Sequence, residues 1–229
     1  MLAPVPARLL AELGRQQDAI ATLAELTDLR RLVPACPPWT VGDLLGHLTS
    51  VHRWVLRIVE PGCLAIPGEE DEAQAVEPSI YREAAARLRE ALARFDQPCP
   101  TLDGFGQVRW WTRRQLHETF IHHLDLTAAL GSTPEAPAWV AADCIAEVVD
   151  TLQPRQVRLG RMGRMGDGLL LTSPSGTWQL GDNPVAEVHG PDLAIAQLLW
   201  RRTTLADSRI TLLGDRAAAT ALLRRQLTP

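Results

Sequence analysis

The run "HETFIHHLDL", His117 to Leu126, holds three histidines, a glutamate and an aspartate within ten positions. Imidazole nitrogens and carboxylate oxygens are the donors that catalytic zinc and related divalent ions use. On a helix Glu118 and His122 lie four positions apart and stack one turn above the other, with Arg114 and Asp125 on the same stripe. That spacing suits a divalent metal. It also suits a solvated row of ion pairs contributing about 0.2–0.5 kcal/mol each, which is the simpler reading of spacing alone. Trp111 lies close to the stripe, and a tryptophan is an uncommon occupant of a purely solvated face.

A second segment bears on the choice. His47 shares a stripe with Leu44, Leu48, Val51 and Val55, an apolar side that must face the interior. A histidine there is commonly a core residue bonded to a carbonyl, but if its helix neighbours that of Glu118 and His122, it completes a His–Glu–His set. Three such ligands with one open position make the arrangement of a catalytic divalent ion. His52, five residues on, projects roughly 140° away from His47, which places it at a rim or beside an acid. His117 and His123 flank the stripe and His189 lies far along the chain, so each is a weaker ligand candidate. Cys36, in "PACPPW", has no base or cation nearby in sequence, and a packed structural cysteine is expected. "GFGQ" and "GRMGRMGDG" follow no strand, so they make weak phosphate loops.

These residues must be positioned by helices. Leu9, Leu10, Leu13, Leu23 and Leu26 mark an amphipathic helix from about Ala7 to Leu29. "RLVPACPPW" stops it, its prolines holding the connection extended, and Thr40 supplies the N-cap for a helix from Val41 to about Glu60, with Asp43 in its first turn. After the loop "PGCLAIPGEEDEAQAVEP" a third helix covers Ser79 to Phe95. A turn-rich break, "DQPCPTLDGFGQ", then leads to the fourth, about Arg109 to Leu130, ended by Gly131. Four helices with connecting loops predict a four-helix bundle. Beyond residues 131–138 the pattern changes to a helix reaching about Leu152, short strands in "GLLLTSPSGTWQL" and "AEVHG", a helix in "PDLAIAQLLWRR", a strand in "RITLL" and a closing helix in "DRAAATALLRRQL". The arginine-rich "RQVRLGRMGRMGDG" reads as a mobile loop. The expected domains are residues 1–135, the bundle, and 136–229, a small α+β domain.

Composition narrows the function classes. The 229 residues are 46% hydrophobic and carry a formal net charge of -4 without a basic stripe, which argues against nucleic-acid binding. All 23 basic residues are arginine, which excludes lysine Schiff-base and P-loop chemistry. No stretch reaches the length of a membrane span and the N-terminus lacks a signal-peptide pattern, so no membrane partner is expected and the reading is cytoplasmic. Cys36, Cys63, Cys99 and Cys144 form no CxxC pair and are expected as free thiols.

"VPACPPWTVGDLLGHLTSVHRW" and "RRQLHETFIHHLDL" closely resemble the two signature segments of the mycothiol-dependent maleylpyruvate isomerase family, a branch of the DinB-like superfamily. "VHGPDLAIAQLLWRR" with "ITLLGD" resembles that family's C-terminal domain. The resemblance implies a DinB-like four-helix bundle followed by a small α+β domain resembling sterol carrier protein. It also implies a divalent metal ion, often zinc, on His47, Glu118 and His122, with mycothiol as the second cofactor. Arg202, at the end of "LLWRR", matches a family arginine suited to gripping a carboxylate. The implied function is a metal- and mycothiol-dependent thiol transferase or isomerase, its partners a small-molecule thiol and a small electrophile such as maleylpyruvate. Asp125 is expected as an orienting partner, not a ligand. Two departures stand out: Pro38 occupies the usual glycine position before tryptophan, and Arg201 the position where glycine often precedes the final arginine. The competing readings are a non-catalytic ligand-binding or interaction protein on the same scaffold, and a metal-dependent hydrolase.

Overall fold

The computed structural model describes residues 5–66, 74–133 and 135–229, which divide into two compact units on either side of residue 134. The first unit is helical. Its helix α1, Pro6–Glu25, opens with proline in the first turn, where the missing N–H is no loss. It stops short of the expected Leu29 because Asp28 accepts the Arg30 N–H at 3.0 Å, a turn that competes with further helix. The following Pro-rich segment is a closed loop and not an extended one: Val33 N–H reaches Trp39 O at 2.8 Å and Trp39 N–H reaches Cys36 O at 2.8 Å.

Helix α2, Val41–Ile58, starts in a capping box in which Thr40 Oγ1 accepts from Asp43 N–H and Asp43 accepts from Thr40 N–H. Of the loop after it, residues 67–73 lie outside the described residues. On re-entry the chain crosses α2 at Gly46, where any Cβ would overlap the Gln74 carbonyl oxygen. Helix α3, Pro78–Leu92, leads into a hairpin of β1, Pro98–Thr101, and β2, Gly104–Gln107. This hairpin replaces the irregular break expected there. Its order comes partly from Trp111, whose Nε1–H donates to Pro100 O at 2.7 Å.

Helix α4, Val108–Ala129, ends where Gly131 adopts φ 75. In the bundle α1 packs on α3 and α4, and α2 on α3 and α4, around Leu13, Ile20, Leu44, Leu48, Leu88 and Phe120. Most of α4 is buried, including Thr119, His117 and Asp125. The solvated polar face that spacing alone favoured is therefore absent.

The second unit contains α5, Ala138–Glu147, a π-helical turn at Val148–Leu152, and α6, Gln153–Arg158. Helix α6 takes up the start of the arginine-rich segment expected as a loop, and the buried Met162 and Met165 anchor the rest. Strands β3, Asp167–Ser173, β4, Gly176–Leu180, β5, Asn183–His189, and β6, Thr211–Gly214, form one sheet in the order β4-β3-β5-β6. Only the β3–β5 pair is parallel. Leu169 and Leu171 on β3 and Ala186 and Val188 on β5 bury alternate positions, the period-two pattern of a one-sided sheet. Helix α7, Asp192–Leu199, packs on β3, and α8, Arg216–Leu223, on β3 and β5. The fold is α+β. No helix among the described residues is long and apolar enough to cross a membrane.

Candidate metal centre

Helices α2 and α4 bring His47, Glu118 and His122 together. One donor atom from each lies within 4.8 Å of the others. Glu118 Oε1 is the meeting point, 3.0 Å from His47 Nε2 and 3.5 Å from His122 Nε2. Its second oxygen, Oε2, accepts from Arg114 Nη2, one turn back on α4. The guanidinium therefore occupies one side of the carboxylate and presents the other to the histidines.

His122 is fixed from behind. Its Nδ1 lies 3.1 Å from Asp125 Oδ2, and because a carboxylate only accepts, the proton sits on Nδ1. Nε2 then points at Glu118. The same Asp125 oxygen accepts from Cys36 Sγ at 3.3 Å. Trp39, at the end of the closed loop, sets its ring 4.8 Å from that of His47 and 6.0 Å from that of His122, forming an aromatic wall over both. His47 is the most open of the three, with 27% of its side chain exposed against 7% for His122. The cluster is therefore most open on the His47 side.

The charges agree with this geometry. Burial alone would raise the Glu118 carboxyl, but the Arg114 guanidinium and the bonds from His122 and His47 outweigh it and hold it well below the usual carboxylate range. Burial alone would lower His122, yet its bonds with Asp125, Cys36 and Glu118 raise it well above an ordinary histidine. Glu118 is thus the anionic donor of the set, and a cation entering there would displace the proton that His122 holds toward it.

The remaining histidines have other places. His52 is neither at a rim nor beside an acid but fully buried, with Nε2 3.0 Å from Gln17 Nε2 and Nδ1 3.0 Å from Gln115 Oε1. Arg89 Nη1 donates to Gln17 Oε1 at 3.1 Å, which turns the Gln17 amide nitrogen toward His52. His52 must therefore accept at Nε2 and donate from Nδ1, a neutral ring, and burial accordingly pushes its pKa down to about 4. His117 is buried in the bundle, His123 contacts Gln16, and His189 pairs with Glu187 in the second unit. Arg202 also belongs to the second unit, where Nη1 donates to Trp200 O at 2.9 Å, at the end of α7. All four cysteines are free. Cys36 has the acid partner that its sequence neighbours lacked, Asp125, 89 positions away.

Residues 10–127, half of the chain and nearly all of the bundle, match the family model described as the mycothiol maleylpyruvate isomerase N-terminal domain. The chain belongs to that family. Within this mycothiol maleylpyruvate isomerase match lie His47, Glu118, His122, Asp125 and Cys36. The fold agrees over a longer span. A crystal structure of the mycothiol-dependent maleylpyruvate isomerase superposes with a TM-score of 0.68 at 15% identity, covering 93% of this chain and 95% of that one. The structure of a histidine-to-alanine mutant gives 0.67 at 15% identity, with the same coverage of both chains. No curated protein matches in sequence.

Proposed function

We propose that this protein is a metal-dependent, mycothiol-dependent thiol transferase or isomerase acting on a small electrophile of the maleylpyruvate class. The observation that carries the reading is the convergence of His47 Nε2 and His122 Nε2 on Glu118 Oε1, at 3.0 and 3.5 Å. Two imidazole nitrogens and one carboxylate oxygen fit a divalent ion with open coordination positions, and zinc is the ion such a set commonly takes. A divalent cation held there favours the thiolate form of a thiol, the nucleophilic form.

The chain's own residues supply the rest. Arg114 orients Glu118, and Asp125 holds Nδ1–H of His122 so that Nε2 is the nitrogen directed into the site, free to ligate once a cation displaces its proton. Trp39 covers the two histidine rings and limits the approach of water, while the exposed edge of His47 leaves a path for thiol and electrophile. Arg202 is assigned the grip on a substrate or thiol carboxylate, since arginine's planar fork suits that group. Family membership supports the choice of mycothiol.

The test joins metal analysis to turnover. His47→Ala and His122→Ala should each lose most bound metal and, with mycothiol and maleylpyruvate, most activity. Full metal occupancy in both variants would sink the ligand assignment. A metal-replete wild-type protein that processes the electrophile without any thiol would replace the reading with hydrolysis.

A further inference from the structure

We propose that the second unit carries a binding site for a small amphipathic carboxylic acid, in a cavity of about 410 Å³ beside the end of α7. The proposal rests on residues of that unit alone. The volume lies in the range of about 300–1,000 Å³ usual for small-molecule sites.

The lining has two characters. Leu198, Leu205 and Leu223 provide apolar surface, while Arg201 and Arg224 line the same cavity as its two cationic residues. Neither arginine has an ion-pair partner among the described residues. Arg209, in the same stretch of chain, behaves differently and is taken up by Asp207 at 2.5 Å. Thr204 adds a donor: its Oγ1 accepts the Ala206 N–H at 3.2 Å, leaving the hydroxyl hydrogen to point elsewhere. An anionic head between paired forks, with an apolar body against leucines, is the ligand this lining complements.

The backbone fixes where Arg201 stands. Arg201 has φ 58, the one positive φ among the described non-glycine residues. A side chain in this left-handed region crowds the following carbonyl, so glycine is the residue that local geometry prefers there. The chain keeps an arginine in a glycine's conformation, and that arginine lines the cavity. The left-handed position belongs to the turn that ends α7, where Arg201 N–H reaches Leu198 O at 3.1 Å and Arg202 N–H reaches Gln197 O at 2.8 Å, and this turn sets Arg201 at the cavity.

Octanoate is the probe, titrated into the full-length protein by calorimetry alongside octan-1-ol and inorganic phosphate. Saturable binding of one octanoate is expected, with octanol at least tenfold weaker and phosphate unable to displace octanoate. Arg201→Gly relieves the backbone and should fold with an unchanged or higher Tm while weakening octanoate binding at least tenfold. Arg224→Met, which keeps the stem, should weaken it similarly. Unchanged octanoate affinity in either variant overturns the proposal, as does octanol binding as tightly as octanoate. Displacement by phosphate alone would also overturn it, by showing an anion site with no preference for an apolar body.

Discussion

Glu118 gives one oxygen to Arg114 and the other to two histidines, and this division makes the side chain a directed ligand and not a loose carboxylate. Asp125 does the same for His122, so Asp125→Asn keeps the shape but loses the acceptor charge behind the ring. Metal affinity should fall about 10–100-fold, the usual size of such effects, while the folded protein still binds metal at saturating concentration. Equilibrium dialysis checks this, and complete loss of binding in a folded variant would make Asp125 a ligand. His52 supports a prediction about pH. Its folded pKa of about 4 lies below the ordinary 6.5, so the unfolded chain takes up the proton first as pH falls. The stability gained by keeping the ring neutral is complete above about pH 6.5 and drains away toward pH 4, at about 1.4 kcal/mol per unit. His123, also pushed down to about 4 by burial, adds in the same direction. Urea unfolding of His52→Gln between pH 7 and 4.5 should therefore show a shallower loss of stability than wild type. Equal slopes would mean that the folded ring takes up its proton at the same pH as the unfolded chain, so that burial does not hold it neutral. That His47, Glu118 and His122 come together was legible because the spacing of Glu118 and His122 is local to one helix, and the resemblance paired that helix with the one carrying His47. The Cys36–Asp125 contact was not, because nothing in "PACPPW" points across the bundle to α4.

At the scale of elements, helix α2 shows where periodicity informs and where it misleads. Its start at Thr40 and the inward stripe through His47 follow from capping chemistry and the helix period. Yet pointing away from His47 does not mean pointing away from the core. Helix α2 packs on both α3 and α4, so the side that carries His52 is as buried as any other. The same limitation applies to α4, whose polar residues lie inside because the bundle surrounds it. The β1–β2 hairpin was hidden in a Pro/Gly-rich stretch with no alternating pattern, and its order depends on a tryptophan from the next helix. Gly46 provides the element-level prediction. The chain entering α3 passes directly over it, and the obstructing atom is backbone, which has little freedom to yield. Gly46→Ala should destabilise the protein by about 1–3 kcal/mol despite alanine's better helix propensity. Denaturant titration measures this; a stabilised variant would show that the segment lifts off at low cost. Because His47 is the next residue, metal affinity should fall as well.

Over the whole molecule, the two compact units allow the contributions of the metal to be separated. Every proposed ligand lies in the bundle, so metal should stabilise that unit and leave the sheet-containing unit untouched. At a free metal concentration 100 times Kd, linkage gives about 2.7 kcal/mol. Calorimetry with and without chelator should then move one transition and leave a second in place; a single transition that shifts as a whole would mean the units unfold together. Arg202→Met asks what the second unit contributes to turnover. It should leave Tm within a few degrees, since a charge at a helix end is worth about 0.3–1 kcal/mol, while raising KM for an acidic electrophile. Unchanged kinetics would leave Arg202 as a helix-end contact to Trp200 O. The chain of bonds from half-buried Arg89 through Gln17 and His52 to Gln115 draws one link from each helix of the bundle. It can be read in only one direction, because it begins at a group that donates and never accepts. Sliding any helix by a turn, about 5.4 Å, would break it. Its last link ties α2 to α4, the two helices that hold the proposed ligands, so the gap between His47 and Glu118 is gauged by a fixture outside the site. An ion that needs a wider or narrower gap would have to strain that fixture to enter, and size discrimination would be built into the scaffold before any cation arrives.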